Sequence, residues 1–186
     1  KKLKVYRYNP ISEALDSIAF NYPDQTEFPP PSEQRNFNIE GFIWLNNKLH
    51  LFSKNSISKG NDYSKHYTLS TSKREQVAEL RDSVLLKNRV VTAAAISPDR
   101  QTVVLLTYDF KVRWKFFPRS KVSLFIIKNF KDDDFLSGTI TEQRVRFFAP
   151  VTQYECVDFI DNETVLIASE KTILYKQKAK RIKLKK

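Results

Sequence analysis

The sequence is poor in several residue types, and each shortage excludes a class of protein. Its 186 residues include 3 glycines, 2 histidines, 1 cysteine and no methionine. The single cysteine, Cys156, excludes an internal disulfide but leaves the redox compartment open. No apolar run reaches the roughly 18 residues that a membrane-spanning helix needs, and no signal peptide is visible. Because the chain begins at Lys1 and has no methionine, we interpret it as a processed or truncated product.

The same shortages remove the familiar catalytic motifs. No glycine-rich phosphate loop, GxSxG, CxxC or HExxH spacing occurs. His50 alternates with two leucines, so we expect it on the opposite face of a strand from them, whereas we place His66 in a polar transition between loop and strand. Cys156 lies in an apolar strand, which favours a small core residue over a nucleophile. No nucleophile with an adjacent base is therefore predicted.

The acidic run Asp132–Asp134 has the composition of a calcium-binding loop but not its spacing. An EF-hand loop needs acidic residues at alternate positions and a glycine at the sixth position. Counted from Asp132, the fifth and sixth positions are Leu136 and Ser137. The spacing therefore predicts a solvated loop, and we expect neither a metal nor another cofactor.

The net charge of +11 is concentrated at the two ends of the chain. Residues 1–7 contain four bases and residues 176–186 contain seven, without any acid, while the remaining residues balance 21 bases against 21 acids. We therefore predict a single domain over residues 1–186, with a folded body at 8–175 and solvated basic ends. Peripheral contact with an anionic membrane stays open. Nucleic-acid binding through the ends is a less favoured alternative, because nucleic-acid domains usually carry their basic excess on the folded body.

Short runs rich in β-branched and aromatic residues predict an all-β fold. Strands are expected at Val90–Ser97, Thr102–Asp109, Lys111–Phe117, Lys121–Phe130 and Thr164–Glu170. Turn residues join apolar runs into hairpins at Asn46–Asn47, Ser97–Arg100 and Asp161–Glu163. Two segments also show helical spacing, namely Ile11–Phe20 and Lys73–Leu86, although the second fits a strand and a loop equally well.

Three segments resemble one another and predict a repeated unit: Asn36–Asn55, Thr92–Asp109 and Gln153–Glu170. Each contains an apolar strand, a short turn and a second strand. Such a unit cannot bury both of its faces alone, whereas several stacked radially can. We therefore predict a β-propeller or an incomplete part of one, with an all-β sandwich as the alternative. Three or four units barely reach the roughly four blades of a closed propeller, so we expect missing blades upstream or closure with a partner.

An alignment of the three copies predicts which positions are equivalent. Glu40 is aligned with Glu155, and Ala93 of the middle copy falls near the same position. The remaining equivalences are Leu45 with Ile160, Asn46-Asn47 with Asp161-Asn162, Leu51 with Leu166 and Phe52 with Ile167.

The segments IEGFIWLNNKLHLFSKN, VTAAAISPDRQTVVLLTYD and QYECVDFIDNETVLIASE together resemble a family of β-propeller-like envelope proteins of Bacteroidota. That family is loosely similar to esterase-like and phytase-like propellers, and the resemblance spans roughly Asn21 to Tyr175. It implies a propeller in the periplasm or at the cell surface, with secretion or outer-membrane machinery as one setting. A propeller hydrolase is the implied alternative. The chain departs from the family pattern where Ala94, Ala95, Arg100 and Cys156 replace Gly, Asp, Gly and Gly, which argues against a family metal or small-molecule site.

Carboxylates at equivalent repeat positions are the candidate channel residues. Glu40 and Glu155 would begin inner strands of a propeller and face its central channel, and Glu170 closes the third repeat. Two carboxylates there could bind a cation or serve as an acid and a base. We favour the structural alternative, in which they accept backbone hydrogen bonds or pair with a cation such as Lys54 and hold neighbouring blades together.

The stretch WKFFPRSK supplies the candidate partner-binding residues Trp114, Phe116, Phe117 and Arg119. Aromatic residues and arginine are the usual anchors of protein interfaces. Interleaved aromatic and basic residues also suit single-stranded nucleic acid, or an ordinary amphipathic strand and turn. We predict a non-enzymatic protein-interaction or accessory subunit of a larger envelope assembly, with no small-molecule substrate assigned.

Overall fold

A computed structural model describes residues 3–55, 62–113, 117–145, 153–171 and 176–185, with only the backbone given for residues 110–113 and 117–120. The described fold is all-β, as predicted. Its described helices are two single 3-10 turns, Ser32–Gln34 and Phe135–Ser137. None of the helices in these ranges is long and apolar enough to cross a membrane.

The described strands form four sheets, which we number in chain order. Sheet 1 consists of β1 (Leu3–Tyr8), β2 (Leu15–Asn21) and β6 (Glu75–Val77). Sheet 2 consists of β3 (Asn38–Leu45), β4 (Lys48–Lys54), β5 (Tyr63–Ser70) and β7 (Glu79–Leu85). Sheet 3 consists of β8 (Val90–Ile96), β9 (Thr102–Arg113), β10 (Phe117–Lys128) and β11 (Thr139–Val145). Sheet 4 consists of β12 (Tyr154–Phe159), β13 (Thr164–Ser169) and β14 (Ala179–Lys183).

Sheets 2, 3 and 4 are antiparallel meanders, because their strands follow one another across the sheet in chain order. Sheet 1 differs, since β6 joins it from the loop after β5 and pairs with β2 in parallel. In the part of the chain that the structure describes, none of the four sheets closes on itself.

The three repeat segments are hairpins with a shared irregularity, and this confirms their structural equivalence. The pairs β3–β4, β8–β9 and β12–β13 each skip one residue of the first strand in the register, which is a β-bulge. The skipped residues are Glu40, Thr92 and Glu155. The equivalence of Glu40 with Glu155 is therefore confirmed, and the matching residue of the middle copy is Thr92.

The predicted alignment of the second strands is wrong by one residue. Phe42 pairs with Leu51 in the first hairpin, and Val157 pairs with Ile167 in the third. Leu51 therefore corresponds to Ile167, and Phe52 corresponds to Ala168. The turn of the third hairpin, Asp161–Glu163, is one residue longer than the two-residue turn at Asn46-Asn47. The predicted alignment contained no gap at the turn, so it placed the second strands out of register by one residue.

The sheets pack face to face in chain order, and each junction has its own apolar cluster. Sheet 1 covers one face of sheet 2 through residues such as Ile18 and Phe20 against Leu49 and Tyr67. The other face of sheet 2 meets sheet 3 in a second cluster, and the opposite face of sheet 3 meets sheet 4 in a third. Sheet 3 is therefore buried on both faces, which explains its nearly continuous apolar runs.

Neither segment with helical spacing forms a helix. Ile11 lies in the turn between β1 and β2, where it is 94% exposed. The Asn9 side chain accepts hydrogen bonds from the backbone N–H groups of Ile11 and Ser12, a local arrangement that competes with a helix. Residues 73–86 form β6 and β7 instead, with Val84 buried and Leu85 exposed in the alternation of a strand.

The basic ends contribute strands to the sheets, and most of their described basic side chains are exposed. Most of residues 1–7 lie in β1, and residues 179–183 form β14 at the outer edge of sheet 4. The predicted separate strand at residues 111–117 is wrong. Its first three residues end β9, and Phe117 begins β10, so the two long strands are neighbours within one hairpin.

Candidate functional site

The first strands of the three repeat hairpins lie side by side and line an open groove. Strand β8 lies between β3 and β12, and each is the edge strand of its sheet. The groove, which we call the first-strand groove, has a volume of about 410 Å³. Its lining residues are Glu40, Phe42, Ile43, Trp44, Ala93, Ala94, Ala95, Ile96, Glu155, Cys156, Val157 and Asp158.

Small side chains and one hydroxyl allow this close approach of the strands. A Cβ atom on Gly41 would lie only 3.0 Å from the Cβ of Ala94, so any larger residue would have to push β3 and β8 slightly apart. On the other side of β8, the Thr92 hydroxyl donates a hydrogen bond of 2.8 Å to the carbonyl oxygen of Tyr154. Thr92 is thus the bulge residue that joins sheet 3 to sheet 4.

The structure brings together the four predicted residues Glu40, Lys54, Glu155 and Glu170. Lys54 Nζ lies 3.4 Å from Glu40 Oε1, the same oxygen that accepts a 2.6 Å hydrogen bond from Asn38 Nδ2. Both side chains of the ion pair are three-quarters buried. The favoured structural pairing of Glu40 with Lys54 is therefore present.

Glu155 is in a less favourable environment for a negative charge. Burial raises the pKa of its carboxyl, and a hydrogen bond with Glu170 and the charge of Glu170 raise it further. The Glu40 carboxylate acts in the same direction, and only the Lys54 ammonium opposes it. The raised pKa means that the Glu155 carboxyl takes up a proton more readily than an ordinary glutamate, a property suited to a general acid.

The most exposed part of the groove wall is aromatic. Phe42 and Trp44 on β3 are 63% and 65% exposed, although they share a strand face with Leu49 and Leu51, which sheet 1 covers. Cys156 is also exposed and lines the groove, so its predicted role as a core residue is wrong. The bulge at Glu155 changes which residues of β12 point to each face of the sheet, and so places Cys156 on the exposed face. The pattern of apolar residues alone does not reveal this bulge.

The predicted partner-binding stretch is largely outside the described residues. Trp114 and Phe116 fall in the undescribed range 114–116, and for Phe117 and Arg119 the structure gives only the backbone of β10. Their role in binding a partner stays a prediction.

A buried histidine pair is the site that sequence reasoning missed. His50 faces away from its flanking leucines, as predicted, but His66 lies inside β5 rather than in a polar transition. The atoms His50 Nδ1 and His66 Nε2 are 3.0 Å apart, and both rings are almost fully buried. Phe52 and Phe135 stack on this pair. The sequence contained one usable signal. If β4 and β5 are assumed to form a hairpin, His50 and His66 fall on the same face of the two strands, two residues apart in register.

The Asp132–Asp134 loop places the carboxylate of Asp133 next to the histidine pair, so the loop is not simply solvated as predicted. Asp133 is mostly buried, and its carboxylate accepts a 2.9 Å hydrogen bond from Lys48 Nζ and lies 3.5 Å from Arg81. The bond from Lys48 lowers the pKa of Asp133. Burial lowers the pKa of His50 to about 4 and that of His66 to about 3, so both rings are neutral near pH 7.

Comparisons with other proteins leave the chain's family open. No protein-family model matches it, and no curated protein matches it significantly. The resemblance to Bacteroidota envelope proteins therefore stays a prediction that depends on the three repeat motifs. Within the described ranges, no group of three or more His, Cys, Asp or Glu side chains is placed to hold a metal ion.

The histidine pair predicts a specific loss of stability in acid. Both histidine pKa values are lower in the folded protein than the usual 6.5. The two histidines therefore cost no stability above about pH 6.5. Below it, the free energy of unfolding falls because the unfolded chain gains protons that the folded chain cannot accept. We expect the free energy of unfolding to fall by about 1.4 kcal/mol per pH unit for each histidine below this point. Urea unfolding between about pH 7 and pH 5 measures the slope, and the chain has no other histidines to confuse it.

The matched variant carries both His50→Gln and His66→Gln, because glutamine can hydrogen-bond but does not titrate. Its stability should no longer fall as the pH is lowered over the same range, whatever its absolute value, because the raised pKa of Glu155 acts in the opposite direction. A double variant as pH-sensitive as the wild type would show that other groups control acid stability. Proton NMR titration of the two rings in the folded protein gives an independent check if the double variant does not fold.

The carboxyl pair predicts the opposite pH dependence. The raised pKa of Glu155 means that folding is penalised once pH rises above its unfolded pKa and the carboxyl ionises. We expect Glu155→Gln to raise the thermal unfolding midpoint at about pH 7 and to change it little at about pH 4. The control is Glu27→Gln, which neutralises an exposed carboxylate in a loop and should have no such pH-dependent effect. A destabilised Glu155→Gln protein at neutral pH would contradict this account.

Proposed function

We propose that this chain is a non-enzymatic protein-interaction module built as an arc of a β-propeller. Three features support the propeller geometry. Successive four- or three-stranded meanders stack face to face, their first strands meet along one groove, and each carries the same bulge. An arc of this kind leaves the faces of its terminal sheets to be covered by further blades or by another protein.

The observation that carries the interaction proposal is the exposed aromatic wall of the first-strand groove. Phe42 and Trp44 lie beside each other on the edge strand β3, on the face of sheet 2 that sheet 1 covers elsewhere. Aromatic side chains of this kind supply most of the binding energy when a partner covers them. Strand β8 is also the edge strand of its sheet, and its small residues Ala93, Ala94 and Ala95 form the floor of the groove beside the aromatic side chains.

The resemblance to Bacteroidota envelope proteins would place this interaction in the periplasm or at the cell surface. In that setting the chain would be an accessory subunit of a secretion or outer-membrane assembly. This location rests on the repeat motifs alone.

A hydrolase is the second candidate, and the Glu155–Glu170 pair is the observation that favours it. A carboxyl group with a raised pKa beside a second carboxyl group can supply a general acid and a general base in one groove. The ion pair between Glu40 and Lys54 lies beside them and would position an anionic substrate group.

The interaction proposal predicts that Phe42→Ala with Trp44→Ala abolishes partner binding. Loss of two interface aromatics should weaken binding by at least about 3 kcal/mol, or more than a hundredfold. The matched control is Tyr6→Ala with Tyr8→Ala, which removes two rings of similar exposure from the outer face of sheet 1. Affinity purification of the three proteins from an extract of the source cells, read by mass spectrometry, measures the effect.

A protein recovered in stoichiometric amount with the wild type and the tyrosine control, and absent from the groove variant, would support the proposal. Equal recovery with all three proteins would place the interface elsewhere. Trp44 fluorescence provides a direct measurement, because its emission should shift to shorter wavelength when the purified partner covers the groove.

The hydrolase candidate predicts that Glu155→Gln abolishes turnover of phosphate and carboxylate esters without unfolding the protein. The interaction module predicts that the same variant retains its partner, since the aromatic wall is unchanged. Assays of the wild type, Glu155→Gln and the Glu27→Gln control on both ester classes separate the two candidates. Turnover that is lost in Glu155→Gln alone would overturn the non-enzymatic assignment.

A further inference from the structure

The outer edges of sheets 3 and 4 are joined by one buried side chain. Gln143 on β11 donates a 2.9 Å hydrogen bond from Nε2 to the carbonyl oxygen of Lys183 on β14. Its Oε1 accepts a 2.8 Å hydrogen bond from the backbone N–H of Lys185. Because Gln143 is buried and both of its polar ends are satisfied, it holds the two edge strands at a fixed separation.

This separation produces a basic cleft between β11 and β14. The cleft has a volume of about 350 Å³ and is lined by Gln143, Arg144, Val145, Lys180, Ile182 and Lys185. Three of the six lining residues are cations, and none of the described lining residues is acidic. Val145 and Ile182 pack against the core below, so the cleft combines an apolar floor with basic walls.

The charges around the cleft are also mostly positive. Further bases on the same edge of the molecule are exposed: Lys176, Lys178, Arg181 and Lys183. Two acids form ion pairs with cations of this region: Glu142 lies 3.5 Å from Arg144, and Glu163 lies 3.5 Å from Lys183. Arg144 and Lys183 are about three-quarters exposed, so these pairings are weak and leave the cations available to a ligand.

We propose that the cleft between β11 and β14 binds the phosphate of an anionic lipid headgroup and docks this edge of the protein on a membrane surface. Arginine and lysine side chains that converge on one cleft match a phosphate anion. The flanking bases on β14 add attraction to a flat anionic surface. The apolar floor suits an amphiphile, whose glycerol and upper acyl atoms lie next to the phosphate.

A nucleic acid is the less favoured occupant. Binding of single strands depends on aromatic side chains that stack on bases, and no aromatic residue is among the described lining residues. The cleft also combines its cations with valine and isoleucine, which make no specific contact with a phosphodiester backbone.

Vesicle co-sedimentation of the full chain tests the proposal. Vesicles of phosphatidylcholine alone should bind little protein, whereas vesicles containing phosphatidylglycerol should bind it strongly at low salt and weakly at high salt. The cleft variant combines Arg144→Gln, Lys180→Gln and Lys185→Gln, and leaves Gln143 in place. We expect its partition coefficient on the anionic vesicles to be roughly a hundredfold lower.

The matched control combines Lys4→Gln, Lys73→Gln and Lys87→Gln, which removes three exposed positive charges elsewhere. Its partition coefficient should change by less than about threefold. Circular dichroism and thermal unfolding verify that both variants are folded. A second variant with Lys180→Arg and Lys185→Arg retains the charge and should bind like the wild type.

Three results would overturn the proposal. Equal loss in the cleft variant and the control would show that net charge alone drives binding. Binding of inorganic phosphate or glycerol phosphate without binding of anionic vesicles would make the cleft a site for a soluble phosphate compound. Tighter binding of an oligonucleotide than of vesicles, lost in the same cleft variant, would assign it to nucleic acid.

Discussion

Burial of sheet 3 on both faces is the constraint on which the rest of this structure depends. Along β9, Val103 and Leu105 pack toward sheet 2, whereas Val104 and Leu106 pack toward sheet 4. A strand that is apolar on both faces cannot lie at the surface, so a sheet is required on either side of it. Because the connections between sheets are short, the two faces of sheet 3 are covered by the preceding sheet 2 and the following sheet 4. The stack in chain order, and the meeting of the first strands, follow from this arrangement.

The repeated bulge turns this stack into a site. Each first strand is bent at the same point, and the skipped residue carries an oxygen in every copy: Glu40, Thr92 and Glu155. The copies differ in how that oxygen is used. The Thr92 hydroxyl donates a hydrogen bond to a carbonyl oxygen of the next sheet. The Glu40 carboxylate forms an ion pair with Lys54, whereas Glu155 has the carboxyl group of Glu170 as its neighbour. Of the three bulge residues, Glu155 is therefore the one whose negative charge is disfavoured by its surroundings and could be stabilised by a bound cation.

The parts of the fold that could be predicted from sequence are those set by local pattern. The hairpins follow from alternating residues and turn chemistry, and the equivalence of Glu40 with Glu155 follows from their repeat. The failures have non-local causes. The β2–β6 pairing joins residues about 55 positions apart with no local signal, and the face on which Cys156 lies depends on a bulge that has no signature in residue type. The contact of Asp133 with the histidine pair depends on how the loop after β10 folds back over sheet 2.

The edges of the sheets separate two kinds of surface. The outer edge strands carry charge, as in β7, β11 and β14, and the backbone of β14 is further occupied by Gln143. Charged side chains on edge strands of this kind resist the addition of another strand. The inner edge strands β3, β8 and β12 contain no lysine or arginine at all and expose Phe42 and Trp44 instead. This contrast supports the proposals that another protein covers the inner edges and that the charged outer edges stay in contact with water or with an anionic surface.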